Sequence, residues 1–189
     1  MDFKLGPEDE SLRTAIRGFV EERVIPLEGD SANYDEHENI RLDVLETLRQ
    51  EVRTAGLWAP QMPINRGGQG LSMIGMAACY EEMGRSIFGP ICFNAAAPDD
   101  GNMILLKKIA REDQQKRWLQ PIIDGEVRSA FAMTEPMPGA GSDPTLMKTT
   151  AVRDGKRWIV KGRKWFITGA GVAQHFILIA KTSDDPRKG

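Results

Sequence analysis

The spacing of apolar residues changes near Gly125, and this change is the strongest constraint on the fold. Before that point apolar residues recur every three or four positions, which is the spacing of amphipathic helices. After it apolar and polar residues alternate, which is typical of strands. The pattern predicts an α+β chain, with an N-terminal all-α helical bundle over 1–125 and a partial antiparallel β domain over 126–189.

Five segments before Gly125 carry the helical spacing, and start or stop residues bound them. Pro7 suits the first turn of the first helix, and Pro26 ends it. Ser72 is a candidate N-cap of the third helix, which follows the glycine-rich turn 67–70. The predicted helices lie at 7–26, 40–56, 72–84, 101–110 and 113–123.

The second part of the chain predicts several short strands. The dipeptide Asp154-Gly155 suits a type I′ turn, because both residue types tolerate positive φ angles. Residues with high strand propensity flank it on both sides. The predicted strands lie at 129–134, 149–152, 157–161, 165–168 and 175–181.

Composition excludes several classes of protein. The chain is 41% hydrophobic and 28% charged, as expected of a globular protein, and no apolar run approaches the roughly 18 residues of a membrane span. Cys79 and Cys92 do not form a CxxC pair, so neither a disulfide framework nor a zinc site is expected. His37 and His175 lack further ligands at metal-binding spacing, which predicts no metal site. The N-terminus lacks the features of a signal or transit peptide, so a cytoplasmic location is expected.

Charge is unevenly distributed along the chain. Residues 1–60 hold 14 acidic and 7 basic side chains, whereas 61–189 hold 13 and 18. Seven of the basic residues lie between Lys148 and Lys164. They suit either a solvated sheet face or an anion-binding surface. A nucleic-acid-binding module is also open, with bases stacking on Trp158, Trp165 and Phe166. The pI of about 5.8 argues against nucleic acid.

The stretch 131–168 is the most informative for chemistry. A strand ending in Thr134 is followed by a loop of small residues, and a later segment places aromatic residues just before Thr168. A planar ring with polar edges suits this arrangement, since an aromatic side chain can cover its face and hydroxyls can bond its edge. Core aromatics and turn threonines explain the same pattern.

Three motifs in this stretch resemble the flavin signature in the middle domain of acyl-CoA dehydrogenases. They are Phe131-Ala-Met-Thr-Glu-Pro, Gly139-Ala-Gly-Ser-Asp and Lys164-Trp-Phe-Ile-Thr. The run 67–72 is similar to the family's turn before its third helix, and 112–119 to the helix before its β domain. The resemblance covers essentially the whole chain in order.

The resemblance implies an FAD site and assigns residues to it. Phe131, Met133 and Thr134 would lie at the isoalloxazine edge, while Phe166 would pack on the ring face and Thr168 would bond near N5. The resemblance also includes Trp165 in the cofactor site, with a ring expected to point away from that of Phe166. Ser142 would contact the CoA moiety of the substrate, although the loop before Gly139 is two residues longer than in compact members of the family. Glu135 would be structural.

The implied reaction is FAD-dependent α,β-dehydrogenation of an acyl-CoA thioester, with electron-transfer flavoprotein or a similar acceptor as partner and a homodimer or homotetramer as the assembly. In the family the catalytic glutamate lies in a C-terminal helical bundle, so the base is expected beyond residue 189 and the isolated chain is expected to be inactive. Alternatives are an acyl-CoA oxidase or other flavin oxidase on the same scaffold, and a non-catalytic fragment that binds a partner.

Overall fold

The computed structural model describes residues 4–185, which form two compact units divided between Glu126 and Val127. The first unit is helical and the second contains short strands. Within the described residues no helix is long and apolar enough to cross a membrane.

Three of the predicted helices, at 40–56, 72–84 and 101–110, are single α-helices in the helical unit. The first predicted helix is an α-helix with an added turn, and the last is divided into shorter pieces. A π-helical turn, Val20–Val24, continues the first helix, and another, Gln115–Leu119, interrupts the last. The helix Gly89–Cys92 was not predicted, because four residues are too few to show a period. The α-helices are α1 Pro7–Phe19, α2 Leu42–Thr54, α3 Met73–Met83, α4 Gly89–Cys92, α5 Asp99–Ile109, α6 Glu112–Gln114 and α7 Gln120–Ile123.

Local chemistry explains where α1 and α3 begin. Pro7 occupies the first turn of α1, with three acidic residues next to it at the positive end of the helix dipole. The Ser72 hydroxyl accepts a hydrogen bond from the Gly75 N–H at 3.0 Å, which confirms Ser72 as the N-cap of α3. Gly68 precedes this cap, and a Cβ there would lie 2.1 Å from the Met62 carbonyl oxygen. The glycine-rich run is therefore a tight turn, as expected.

The core of this unit is formed by side chains from the helices and from the segments between them. Along α1 and the π-helical turn that continues it, buried side chains recur every fourth position, at Ile16, Val20 and Val24, as expected of an amphipathic helix. A buried carboxylate also joins α1 to α3, since Glu82 accepts hydrogen bonds from Arg17. The largest buried apolar side chains are Ile16, Val20, Val24, Val52, Met62, Met83, Phe93, Met103, Leu119, Ile122 and Ile123.

Up to residue 185, the second unit contains four strands in two pairs: β1 Ser129–Ala132, β2 Thr150–Asp154, β3 Arg157–Lys161 and β4 His175–Leu178. β2 and β3 are antiparallel, as predicted. The prediction of an antiparallel arrangement is wrong for β1 and β4, which pair in parallel. A parallel pair needs a long connection that returns the chain to the same end of the sheet, and residues 133–174 provide one.

Two local predictions also need correction. The hairpin loop is Gly155-Lys156 rather than Asp154-Gly155, because Asp154 still pairs with Arg157. Only Gly155 of the two loop residues has a positive φ, 57°, which is typical of a type II′ rather than a type I′ turn. The segment 165–168 is not a strand, since Phe166 has a φ of 49° and cannot continue an extended backbone.

Candidate functional site

A buried carboxylate organises the segments that the sequence motifs singled out. Glu135 follows β1, and its side chain is only 3% exposed. Its Oε1 accepts hydrogen bonds from the Thr149 N–H and the Lys164 ammonium, both at 2.9 Å. Its Oε2 accepts one from the Lys148 N–H at 2.7 Å. Three separate stretches of chain therefore meet at one side chain.

Lys164 extends this network to the backbone beside Glu135. Its ammonium also donates to the Met133 carbonyl at 2.8 Å. The next residue, Trp165, donates its N–H to the Thr134 carbonyl at 3.2 Å. The segments 133–135 and 164–165 thus lie side by side. Lys164 is 10% exposed and paired, so it does not belong to the basic surface proposed from the charge pattern.

The charge state of Glu135 follows from these contacts. Burial by itself would raise the pKa of this carboxyl, but hydrogen bonds from Thr149, Lys148 and Lys164 lower the pKa to about 2. Glu135 is therefore ionised at neutral pH. Both of its carboxylate oxygens already accept hydrogen bonds from the protein, so it is not free to act as a base. This agrees with the structural role expected from the family resemblance.

The predicted edge residues lie at and just beyond the end of β1. Phe131 belongs to the strand, while Met133 and Thr134 follow it, and all three are half-buried. Neither the Met133 N–H nor the Thr134 N–H donates to the backbone carbonyl of another described residue. These two donors are available to a polar ring edge, which suits the predicted role.

The predicted face residues form an exposed aromatic pair. The ring centroids of Trp165 and Phe166 are 4.6 Å apart, with the ring planes tilted by 38°. The expectation that the Trp165 ring points away from Phe166 is wrong, because the left-handed backbone at Phe166 brings the rings together. Phe166 is 81% exposed, and Thr168 is also exposed.

The backbone of Phe166 is strained. A left-handed conformation costs a residue with a Cβ roughly 1–2 kcal/mol, and it is rarer still for a bulky aromatic. Such strain concentrates at ligand-binding sites, where the surrounding structure holds it in place. An exposed aromatic ring in this conformation is therefore a candidate contact for a planar ligand.

The loop 136–143 folds back on Glu135. The Glu135 N–H donates to the Gly141 carbonyl at 3.1 Å. Gly139 approaches so closely that a Cβ there would lie 2.7 Å from Glu135 Oε2. Ser142, at the end of this loop, is exposed and could meet a ligand from solvent. The motif predicts a role for Ser142, but it does not show that Glu135 shapes the loop on which Ser142 lies.

Lys164 is a site residue that the sequence pattern did not predict. The sequence signal for this ion pair is weak. It consists of a lysine directly before two aromatic residues and a glutamate directly after the threonine that ends the predicted first strand. Nothing in the local pattern shows that residues 29 positions apart form an ion pair. Within the described residues there is also no group of three or more His, Cys, Asp or Glu side chains that could hold a metal ion.

Comparison with protein families identifies the scaffold that carries this site. The model of the acyl-CoA dehydrogenase N-terminal domain matches residues 6–126, and that of the acyl-CoA dehydrogenase middle domain matches residues 130–189. The chain belongs to the acyl-CoA dehydrogenase family. The divided fold, helical and then sheet-containing, is that of the acyl-CoA dehydrogenases.

Individual acyl-CoA dehydrogenases support this assignment. Acyl-CoA dehydrogenase family member 11 of Gallus gallus is 37% identical over 162 residues, which are 82% of this chain and 20% of that protein. A structure described as an acyl-CoA dehydrogenase from Mycobacterium abscessus matches with 35% identity and a TM-score of 0.85, over 96% of this chain and 48% of that one.

A third match comes from an enzyme with a flavin in its structure. The glutaryl-CoA dehydrogenase of Mycobacterium smegmatis, in complex with FADH2, is 25% identical with a TM-score of 0.70. The match covers 95% of this chain and 44% of that enzyme. This chain therefore spans less than half the length of the relatives compared.

Proposed function

We propose that this chain contributes the flavin-facing part of an enzyme that catalyses FAD-dependent α,β-dehydrogenation of an acyl-CoA thioester. The observation that carries the proposal is the juxtaposition of 133–134 with 164–165, joined by the Lys164 bonds and the Trp165–Thr134 bond. This places polar edge donors beside an exposed aromatic pair. Membership of the acyl-CoA dehydrogenase family supports the same reaction.

The residues present suit FAD. Met133 and Thr134 offer backbone N–H groups to the polar edge of the ring system, and Phe131 supplies apolar surface beside them. Phe166 and Trp165 offer an exposed aromatic face, on which an isoalloxazine ring can stack.

Thr168 carries the chemical role in this proposal. When bound, FAD supplies the ring nitrogen that accepts hydride from the β-carbon of the thioester. The exposed Thr168 hydroxyl would hold that nitrogen by donating a hydrogen bond, and this bond would stabilise negative charge there. Ser142, on the loop that Glu135 holds, contacts the CoA moiety. The carboxylate that removes the α-proton is not assigned to any described residue.

The assembly and partners follow the family resemblance and are part of the proposal. The electron acceptor is an electron-transfer flavoprotein or a similar acceptor, the location is cytoplasmic, and the assembly is a homodimer or homotetramer. The electron acceptor reoxidises the reduced flavin between turnovers, so reduction of the flavin by the thioester can be tested without it.

Anaerobic mixing of acyl-CoA with the flavin-loaded, full-length enzyme to which this chain contributes tests the reaction. We expect loss of the oxidised flavin absorption and formation of a trans-2-enoyl thioester. Thr168→Ala should slow the bleaching at least about tenfold, because it removes one hydrogen bond to developing charge. Thr54→Ala, which removes an exposed hydroxyl from α2, is the control. A protein that stays colourless after addition of FAD would refute the proposal.

A further inference from the structure

We propose that Glu135 and Lys164 are positioning residues, whose ion pair holds the two flavin-facing segments at a fixed separation. The inference rests on the proposed function, because the segments matter only if both contact the same ring. One segment is 133–134, which ends at Glu135, and the other is 165–168, which begins after Lys164. The pair is therefore adjacent in sequence to both halves of the site.

The geometry makes Lys164 a bridge rather than a simple counter-ion. Its ammonium donates to the Glu135 carboxylate at 2.9 Å and to the Met133 carbonyl at 2.8 Å. Both acceptors lie on the same stretch of chain after β1. The single backbone bond from Trp165 to Thr134 is long, at 3.2 Å, and no strand pairing reinforces it. The lysine thus supplies most of the directional contact between the segments.

The burial of the pair favours a role in geometry over a role in stability. Both side chains are at least nine-tenths buried, and charges removed from water gain little net stability from pairing. Packed apolar side chains of similar volume would stabilise the unit equally well. They would not, however, fix a register, because apolar contacts are not directional. The ion pair with its extra bond to Met133 does fix one.

Positioning of this kind bears directly on a hydride-transfer site. A displacement of about 1 Å at the reacting groups can reduce a rate by about a hundredfold. Thr134 and Trp165 are each one residue from the pair and are joined to each other by a hydrogen bond. A change in the spacing of the pair therefore moves a ring-edge donor relative to the aromatic face.

Lys164→Met in the full-length enzyme to which this chain contributes tests the inference, with Lys161→Met as the matched control. Both remove one positive charge, but Lys161 lies at the exposed end of β3 and forms no part of the bridge. For Lys164→Met we expect FAD affinity at least about tenfold weaker, an altered visible flavin spectrum, and a lower kcat with KM for acyl-CoA nearly unchanged. Lys161→Met should match the wild type. Equal spectra and affinities in the two variants would overturn the inference.

Hydrogen exchange in the flavin-free protein separates this inference from the proposed function. The Trp165 amide should exchange at least about tenfold faster in Lys164→Met than in Lys161→Met, because the bridge that protects its bond to Thr134 is lost. Equal exchange would show that the bridge does not hold the segments. If the wild type binds no FAD, the proposed function fails while the exchange result still tests the bridge. Should Lys164→Met not fold, Lys164→Gln, which keeps one donor, replaces it under the same criteria.

Discussion

The closest contact near the candidate site predicts that Gly162→Ala severely destabilises the second unit. Gly162 follows β3 and lies against Thr149, whose N–H bonds to Glu135. A Cβ at Gly162 would lie 2.1 Å from Thr149 Oγ1 and 2.6 Å from both Cβ and Cγ2 of that residue. Rotation of the Thr149 side chain cannot remove the clash, because its Cβ does not move with χ1. The two backbone segments must separate.

The size of the effect follows from the required separation. Thr149 must move by about 1 Å to restore ordinary van der Waals contact, which is roughly 3.5–4 Å between carbon atoms. Its bond to Glu135, 2.9 Å long, would stretch beyond hydrogen-bond distance. Overpacking costs about 1–3 kcal/mol, and a lost hydrogen bond to a buried charge about 1.5–3 kcal/mol. The free energy of unfolding should fall by about 3–5 kcal/mol.

Urea unfolding followed by the amide NMR signals of β2 and β3 measures this change in the second unit alone. Gly171→Ala is the control, since a Cβ at that glycine would have no neighbour within 4 Å. Its effect should stay within about 0.5–1 kcal/mol, and stabilisation is the expected sign. If the two variants unfold at the same urea concentration, the assigned contact between Gly162 and Thr149 is wrong.

Three further predictions concern local features of the two units. Asn94→Ala should lower the free energy of unfolding of the helical unit by about 2–4 kcal/mol in urea, because the Asn94 amide donates to two buried carbonyls and its φ is 56°. Asn94→Gly should recover about 1 kcal/mol of this loss, because glycine tolerates a positive φ. If both variants lose the same free energy, backbone strain at this position is excluded. Gly18→Ala, within α1 and with room for a Cβ, should raise the unfolding free energy by up to about 1 kcal/mol in thermal melts, whereas a lower Tm would contradict the assignment. Because the pKa of Glu135 is lowered to about 2, its ionised carboxylate should contribute up to roughly 3 kcal/mol to the free energy of unfolding above the unfolded pKa, and this contribution should be lost as pH falls from about 4.5 to about 2. Between about pH 5 and about pH 3, the unfolding free energy of Glu135→Gln should therefore fall less than that of the wild type. Equal falls in the two proteins would refute the role of this carboxylate.

Local features of the fold are predictable because their causes lie within a few residues. The helical and strand periods place the change of structure near Gly125 correctly, and the Ser72 hydroxyl caps α3 as its position suggests. The Asp154-Gly155 signal locates the hairpin, since a strand reversal needs a residue that tolerates positive φ. It misplaces the loop by one residue, because the register depends on pairing along both strands.

Features that depend on distant parts of the chain are not predictable in this way. The parallel pairing of β1 with β4 joins segments more than forty residues apart, and alternation of apolar residues is the same in parallel and antiparallel strands. The left-handed backbone of Phe166 likewise ends a strand that its residue types favour. Contacts with neighbouring segments override the local propensity there.

Sequence by itself determined the order of the helical and sheet-containing units and the motifs that assign the chain to the acyl-CoA dehydrogenases. The resemblance of those motifs to the family also implied a structural role for Glu135. Only the tertiary structure decided that Glu135 pairs with Lys164 and that this lysine also holds the Met133 carbonyl. The physical reason is that periodicity and capping act over one turn or one strand, whereas a buried charge is stabilised by whichever donors the completed fold brings around it.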